Sequence, residues 1–136
     1  MAIGVRLPGS TNKQIQTAID KGQIIRTHLL RPTWHFVSPD DIYWILQLTA
    51  PQIRSSLKSR EKELEITEPI FTTSNTVIQK ALRDYKYLTR EELMTELAKA
   101  KIATDNNRSS HLLLRAELEG IICNGATKGK TVLMPC

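Results

Sequence analysis

The stretch of sequence that decides the fold is residues 89–124, which read TREELMTELAKAKIATDNNRSSHLLLRAELEGIICN. It opens with a capping box, because Thr89 can cap the backbone of Glu92 while the Glu92 side chain reaches back to the N-cap. Apolar residues then recur at helical spacing, which predicts a helix over about 90–101. A short turn separates it from the next helix, predicted over about 106–119.

A β-hairpin is predicted after the second of these helices. Gly120 ends the helix, since glycine readily adopts the left-handed conformation common at helix C-termini. Two short apolar strands, 121–124 and 131–134, then flank a tip rich in glycine and lysine. With a further helix predicted upstream, over about 69–84, the order is typical of a winged helix-turn-helix, which we assign to residues 67–136.

The N-terminal part repeats the end of this pattern. AIDKGQIIRTHLLRPTWHFV (18–37) and AELEGIICNGATKGKTVLMP (116–135) each contain Ala, three residues, Gly and then two predicted strands. We predict a helix over about 11–21 and a hairpin with strands 23–30 and 33–37. This part therefore resembles the last helix and wing of another winged helix, although helix–glycine–hairpin units are also common in unrelated folds.

The register of the first hairpin is predicted from the alternation of its side chains. If Leu29 lies opposite Trp34, one face is apolar and the other is polar. The apolar face holds Ile25, Thr27, Leu29, Trp34 and Phe36, and the polar face holds Arg26, His28, His35 and Val37. We expect the apolar face to be buried. His28 and His35 would face each other as a polar pair, and no third ligand beside them suggests a metal site.

Two helices are predicted between the two units. Ser38-Pro39-Asp40-Asp41 is a strong helix start and predicts a helix over 39–48. Pro51 is expected to start another helix, over about 51–64. Its tail KSREKELE, residues 58–65, is charged nearly throughout and is expected to be solvated.

The predicted fold class is therefore mainly α with small β-hairpins (α+β). A partial first winged helix, consisting of a helix, a hairpin and the following helix, spans residues 1–50. A helical connector spans 51–66, and the winged helix-turn-helix spans 67–136. A three-helix bundle with a β-tail is the main alternative for the last unit.

The composition favours an anionic partner in a reducing compartment. The 136 residues include 19 Lys and Arg against 14 Asp and Glu, a formal charge of +5. Cys123 and Cys136 have no spacing typical of a disulfide framework, which favours a cytoplasmic location. No apolar stretch approaches the ~20 residues of a membrane span, so no membrane partner is expected.

The predicted partner is double-stranded DNA. In winged helices the third helix usually enters the major groove and the wing contacts the backbone. Asn and Arg can read adenine and guanine edges, and lysines contact phosphates. The predicted DNA-binding residues are Asn106, Asn107, Arg108, Ser109, His111, Arg115, Lys128 and Lys130.

The segment GQIIRTHLLRPTWHFVSPDDIYWILQLTAPQI resembles the bacterial winged-helix DNA glycosylase family of AlkZ/YcaQ-like proteins. The family pattern is G-x-[IV]-[IV]-R-T-x-x-x-R-x-T-x-H-[FL]-V, followed by an acidic helix start and a Trp-bearing helix. The matching residues are Gly22, Arg26, Thr27, Arg31, Thr33, His35, Val37, Asp41 and Trp44. Later, YLTREEL and HLLLRAELEGIICNG look like the family's second winged helix.

The resemblance implies tandem winged helices in a longer protein that excises alkylated or crosslinked bases. It agrees with a DNA-facing first hairpin, expected from the alternation of side chains, because Arg26, Arg31 and His35 are all positions of its motif. No metal or other cofactor is expected, since the sequence holds no ligand set or phosphate-binding glycine loop. The family's catalytic Gln-x-Gln or Gln-x-Asp pair lies upstream of the matched region, and Gln14 and Gln16 do not match it in position. We therefore assign no catalytic residue and expect this fragment to be inactive alone.

Two other functions fit the same sequence. A non-enzymatic winged-helix regulator would be dimeric and would bind a palindrome. A winged helix can also serve for contact with another protein. In addition, the exposed surface of the incomplete first domain would favour a homodimer.

Overall fold

The computed structural model describes residues 9–28, 34–85, 87–128 and 130–135, with side chains up to residue 124 apart from that of residue 34. Its helices are α1 (Asn12–Asp20), α2 (Ile42–Glu63), α3 (Glu68–Asp84), α4 (Arg90–Lys99) and α5 (Arg108–Leu118). Its strands are β1 (Ile25–His28), β2 (Trp34–Val37), β3 (Ile122–Lys128) and β4 (Lys130–Pro135). The strands form one antiparallel sheet of order β2-β1-β3-β4. The predicted α+β class with small hairpins is confirmed, and it is consistent with a winged-helix-like fold.

The predicted capping box at the start of α4 is present. The Glu92 backbone N–H donates to Thr89 Oγ1 at 3.2 Å, and the Thr89 N–H donates to Glu92 Oε2 at 2.8 Å. The start of α1 carries the same arrangement between Thr11 and Gln14. Both helices therefore begin where their side chains satisfy backbone donors that would otherwise lack partners.

The similarity of the two ends of the chain extends to their main-chain geometry. Gly22 and Gly120 have φ angles of +72° and +71°. The N–H of the following residue reaches back to an alanine carbonyl, from Gln23 to Ala18 and from Ile121 to Ala116, at 2.9 Å in both cases. Each bond spans five residues, as in a Schellman motif. The shared Ala-x-x-x-Gly spacing thus encodes the same helix ending twice.

The prediction of two separate helices around Pro51 was wrong, because α2 runs without interruption from Ile42 to Glu63. Pro51 is exposed, so the Gln47 carbonyl, which loses its helical partner there, faces the solvent side. The start was also misplaced. Ser38 accepts from the Asp40 N–H at 3.2 Å in a turn that precedes the helix.

The predicted register of the first hairpin was wrong by one residue. Ile25 pairs with Val37, and His28 pairs with Trp34. Opposed residues share a face, so Val37 is buried beside Ile25, whereas Phe36 remains 39% exposed. Val37 belongs to one buried apolar cluster with Ile25 and Ile42, which favours the observed register. Residues 29–33, which lie between β1 and β2 in the sequence, and the Trp34 side chain lie outside the described part.

The apolar core continues from the helices into the sheet. The largest cluster lies among α3, α4 and α5 and includes Phe71, Ile78 and Leu93. A second cluster joins the start of α2 to Cys123 of β3. Because β1 also pairs with β3 through Arg26 and Asn124, both hairpins share one sheet. Among the described residues, no helix is long and apolar enough to cross a membrane.

The observed register predicts that a new hydroxyl group destabilises the protein at position 37 and has little effect at position 36. Val37→Thr keeps the side-chain shape but buries a hydroxyl, which should lower the free energy of unfolding by about 1–3 kcal/mol. The control Phe36→Tyr adds a hydroxyl on the exposed face and should change it by less than about 0.5 kcal/mol. Urea unfolding followed by circular dichroism measures both, and the reverse order would restore the register expected from sequence.

Candidate nucleic-acid interface

The predicted recognition helix, α5, is buried on nearly all sides. Its buried residues are Leu112, Leu113, Arg115, Ala116, Glu117 and Leu118. They pack against α2, α3 and the sheet. The sequence HLLLRAEL carried the signal for this, because its leucines point all around the helix, and a helix that is apolar all round belongs in a core. Only the N-terminal end of α5 is therefore open to a partner.

Arg115 occupies the side of α5 that faces the other helices and is only 3% exposed. Its guanidinium donates to both carboxylate oxygens of Glu68, at 3.0–3.2 Å. Glu61 and Glu119 lie 3.6 and 3.8 Å away. The guanidinium carbon also lies 4.0 Å from the centre of the Phe71 ring. This burial counts against the predicted DNA contact of Arg115, because its terminal amino groups bond to a carboxylate of the same chain.

The arginine also changes the acidity of its exposed partner. Hydrogen bonds from Arg115 hold the pKa of Glu68 below its ordinary value of 4.5, although some burial acts in the opposite direction. The positive charges of Arg54 and Lys58 lower that pKa further. Glu68 is therefore ionised under neutral conditions, as its paired geometry requires.

Glu117 points from the opposite side of α5 into the sheet and is 3% exposed. One carboxylate oxygen accepts the His28 backbone N–H at 3.3 Å and a hydrogen bond from the His28 ring. The other accepts the Asn124 amide at 3.3 Å. His28 therefore does not pair with His35 as predicted, since the two lie on opposite faces of the hairpin. This carboxylate joins α5 to β1 and β3, a role that sequence reasoning missed.

Two more predicted DNA-binding residues have partners within the chain. Arg108 donates to the Leu64 carbonyl and to Asp105, both at 3.0 Å. His111 is largely buried, with Nδ1 3.9 Å from Glu61. Arg108 thus ties the junction between α2 and α3 to the start of α5, whereas the buried His111 Nδ1 has no hydrogen-bond partner among the described residues. The bonding of Arg108 and the burial of His111 both count against contact with a duplex.

The remaining predicted residues of this region form an exposed polar edge. Asn106 and Asn107 lie before α5 rather than in its first turn, with φ angles of +51° and +68°. Asparagine tolerates this left-handed conformation, which lets the chain turn into the helix. Ser109 and Ser110 each accept a hydrogen bond from Arg90, at 3.0 and 2.9 Å. We call these five residues the α4–α5 edge. Arg90 was missed because its neighbours in space are distant in sequence.

The predicted residues of the two hairpins are only partly described. Lys128 and Lys130 pair directly across the end of the β3–β4 hairpin, and their side chains lie outside the described part. Arg31 also lies outside it. Arg26 and His35 are both partly exposed, but the register places them on opposite faces. They therefore do not form one surface, contrary to the sequence prediction.

The two glutamines singled out in the sequence have local structural roles. Gln14 completes the capping box of α1, and Gln16 donates to Asp20 at 3.0 Å. Over the described part of the chain, no group of three or more His, Cys, Asp or Glu side chains could hold a metal ion.

The chain has an α+β fold that is consistent with a winged helix. Its helix α5 is buried, and the α4–α5 edge is exposed. The chain belongs to the AlkZ-like DNA glycosylase family, whose family model matches residues 1–133. Its structure is similar to the solved structure of the Streptomyces sahachiroi DNA glycosylase AlkZ, with a TM-score of 0.77 and 18% sequence identity. The match covers 98% of this chain and 37% of that one, and at this identity it concerns the fold alone. None of the curated protein sequences matches the chain.

The Arg115 network predicts a large difference between two arginine substitutions. Arg115→Leu leaves the buried Glu61 without its partner and should lower the free energy of unfolding by about 3–5 kcal/mol. The control Arg54→Leu removes a half-exposed arginine 4.0 Å from Glu68 and should cost less than about 1 kcal/mol. Urea unfolding measures both changes. Equal losses would contradict the role assigned to Arg115.

Proposed function

We propose that this chain supplies a duplex-contacting part of a cytoplasmic DNA glycosylase-like repair protein acting on alkylated or crosslinked bases. The supporting observation is the family match, which spans nearly the whole chain. Because the chain corresponds to only 37% of the length of the similar glycosylase, excision of a base is proposed for a longer protein.

The proposed contacts are made by the α4–α5 edge and the end of the β3–β4 hairpin, rather than by the buried length of α5. The α4–α5 edge presents asparagine amides and hydroxyls, which can bond to base edges or phosphates. Arg90 adds a positive charge to the same edge. Lys128 and Lys130, at the end of the β3–β4 hairpin, would contact the phosphate backbone as a wing does. Arg26 would add a contact from the first hairpin.

Duplex binding at several salt concentrations tests this proposal. The chain should bind a fluorescein-labelled duplex, as followed by fluorescence anisotropy, with an affinity that falls steeply as salt rises. Lys128→Gln with Lys130→Gln should reduce the log–log salt slope by about 1.8, since each lost phosphate contact contributes about 0.9. Asn106→Gly with Asn107→Gly removes both amides but keeps the left-handed turn, and should weaken binding without changing the slope.

The matched control is Lys80→Gln with Lys99→Gln, which removes the same charge from exposed positions on α3 and α4. Its slope should stay close to that of the unmodified chain. The proposal would fail if the unmodified chain did not bind at low salt, or if its affinity did not depend on salt.

The chain alone should not release alkylated bases. Gln14 and Gln16 form hydrogen bonds within α1. The resemblance places the family's catalytic pair upstream of the matched segment that begins at Gly22, and these two glutamines do not match it in position. Incubation with alkylated duplex DNA should therefore yield no abasic sites above a buffer control. Abasic sites above the control would mean that a catalytic group lies within these 136 residues.

One observation favours the alternative of a protein contact. Tyr43, Trp44 and Leu48 on the first turns of α2 are 56%, 57% and 75% exposed, respectively. Neighbouring apolar side chains of this size often mark interaction sites, and a second copy of the chain could cover them. Analytical ultracentrifugation tests the second copy as the partner, because a single-chain mass at the concentrations used for DNA binding would rule out self-association through these residues.

A further inference from the structure

We propose that the second half of α2 carries a second duplex-binding surface, which contacts the DNA phosphate backbone through Arg54, Lys58 and Lys62. We call these three residues, with the exposed hydroxyls of Ser55 and Ser59, the α2 cationic face. The inference rests on the proposed function, since it assumes that the partner is duplex DNA.

The fold separates charges that alternate in the sequence. The run KSREKELE was expected to be a solvated, mixed-charge helix face. In the structure Glu61 turns inward to Arg115 and is only 6% exposed. Glu63 lies on the outside, but it is paired with Arg60 at 2.7 Å. Glu65, the third acid of the run, is exposed but lies beyond the end of α2. Within α2, the burial of Glu61 and the pairing of Glu63 leave a net positive outer surface.

The spacing of the three cations matches that of phosphates along a DNA strand. Positions 54, 58 and 62 are four residues apart, so they lie along one side of the helix. At 1.5 Å of rise per residue they extend over about 12 Å. A single DNA strand rises about 3.4 Å per nucleotide, so this length corresponds to three or four phosphates. The serine hydroxyls beside the cations can donate hydrogen bonds to the same oxygens.

None of these three cations forms a close ion pair with a carboxylate among the described residues. Among the described side chains, no carboxylate lies within 4.0 Å of the Lys58 or Lys62 ammonium groups. Arg54 approaches Glu68 only to 4.0 Å, and Glu68 already binds Arg115 through both oxygens. All three cations can therefore turn to an external anion without breaking a buried pair.

The test is Lys58→Gln with Lys62→Gln, studied with the same labelled duplex and salt series. Both lysines are exposed, and glutamine is a good helix former, so α2 should remain intact. We expect the log–log salt slope to fall by about 1.8 through the loss of two phosphate contacts. The Lys80→Gln, Lys99→Gln variant carries the same change in charge and should retain the original slope.

The possible failures are distinguishable. If Lys58→Gln with Lys62→Gln keeps the slope while Lys128→Gln with Lys130→Gln lowers it, the α2 cationic face is overturned and the proposed function stands. If Lys80→Gln with Lys99→Gln reduces the log–log salt slope as much as Lys58→Gln with Lys62→Gln does, the slope depends only on total charge. The α2 cationic face is then overturned. If the unmodified chain binds no duplex at low salt, both proposals fall.

Discussion

The burial of the Arg115 guanidinium is the constraint on which the arrangement of the helices depends. A buried cation without partners costs several kcal/mol, so carboxylates must converge on it. They come from the end of α2, the start of α3 and the end of α5, as Glu61, Glu68 and Glu119. The junction between α2 and α3 is therefore drawn over α5, where Arg108 secures it through the Leu64 carbonyl.

Glu117 provides the corresponding constraint on the other side of α5. Its carboxylate accepts hydrogen bonds from the backbone N–H and the ring of His28 and from the Asn124 amide. These bonds join α5 to β1 and β3. With Arg115 and Glu117 both directed inward, α5 lies in the interior of the molecule. This burial counts against DNA contacts along the length of this helix. The proposed interface therefore consists of the α4–α5 edge, the end of the β3–β4 hairpin and the α2 cationic face.

Local signals predicted the elements well and their packing less well. The capping box at Thr89 and the helix ending at Gly120 depend on neighbouring residues, so the sequence predicted both. The register of the first hairpin depends on which residue of β2 packs with Ile25 and Ile42. Alternation alone does not identify that residue, and the predicted register was shifted by one position. Pro51 was expected to break a helix, but its exposed position allows α2 to continue through it.

The candidate site was predicted less accurately than the fold because charge does not determine exposure. Arg115 and His111 were chosen for the chemistry of their side chains, yet their partners come from α2 and α3, about 50 residues away in sequence. The same long-range pairing removed Glu61 from the surface and left Lys58 and Lys62 outside. Asn106 and Asn107 are exposed in the turn that precedes α5, although the sequence analysis placed both residues in the helix.

The buried charges of α5 join the described hairpins and helices into one cooperative unit. Native-state hydrogen exchange at increasing denaturant tests it most directly, by comparing the His28 amide, which bonds to Glu117, with amides in the middle of α5. The account predicts that their opening free energies converge on one value as denaturant rises. A His28 amide that opens at a much lower free energy, without converging on the α5 amides, would contradict it.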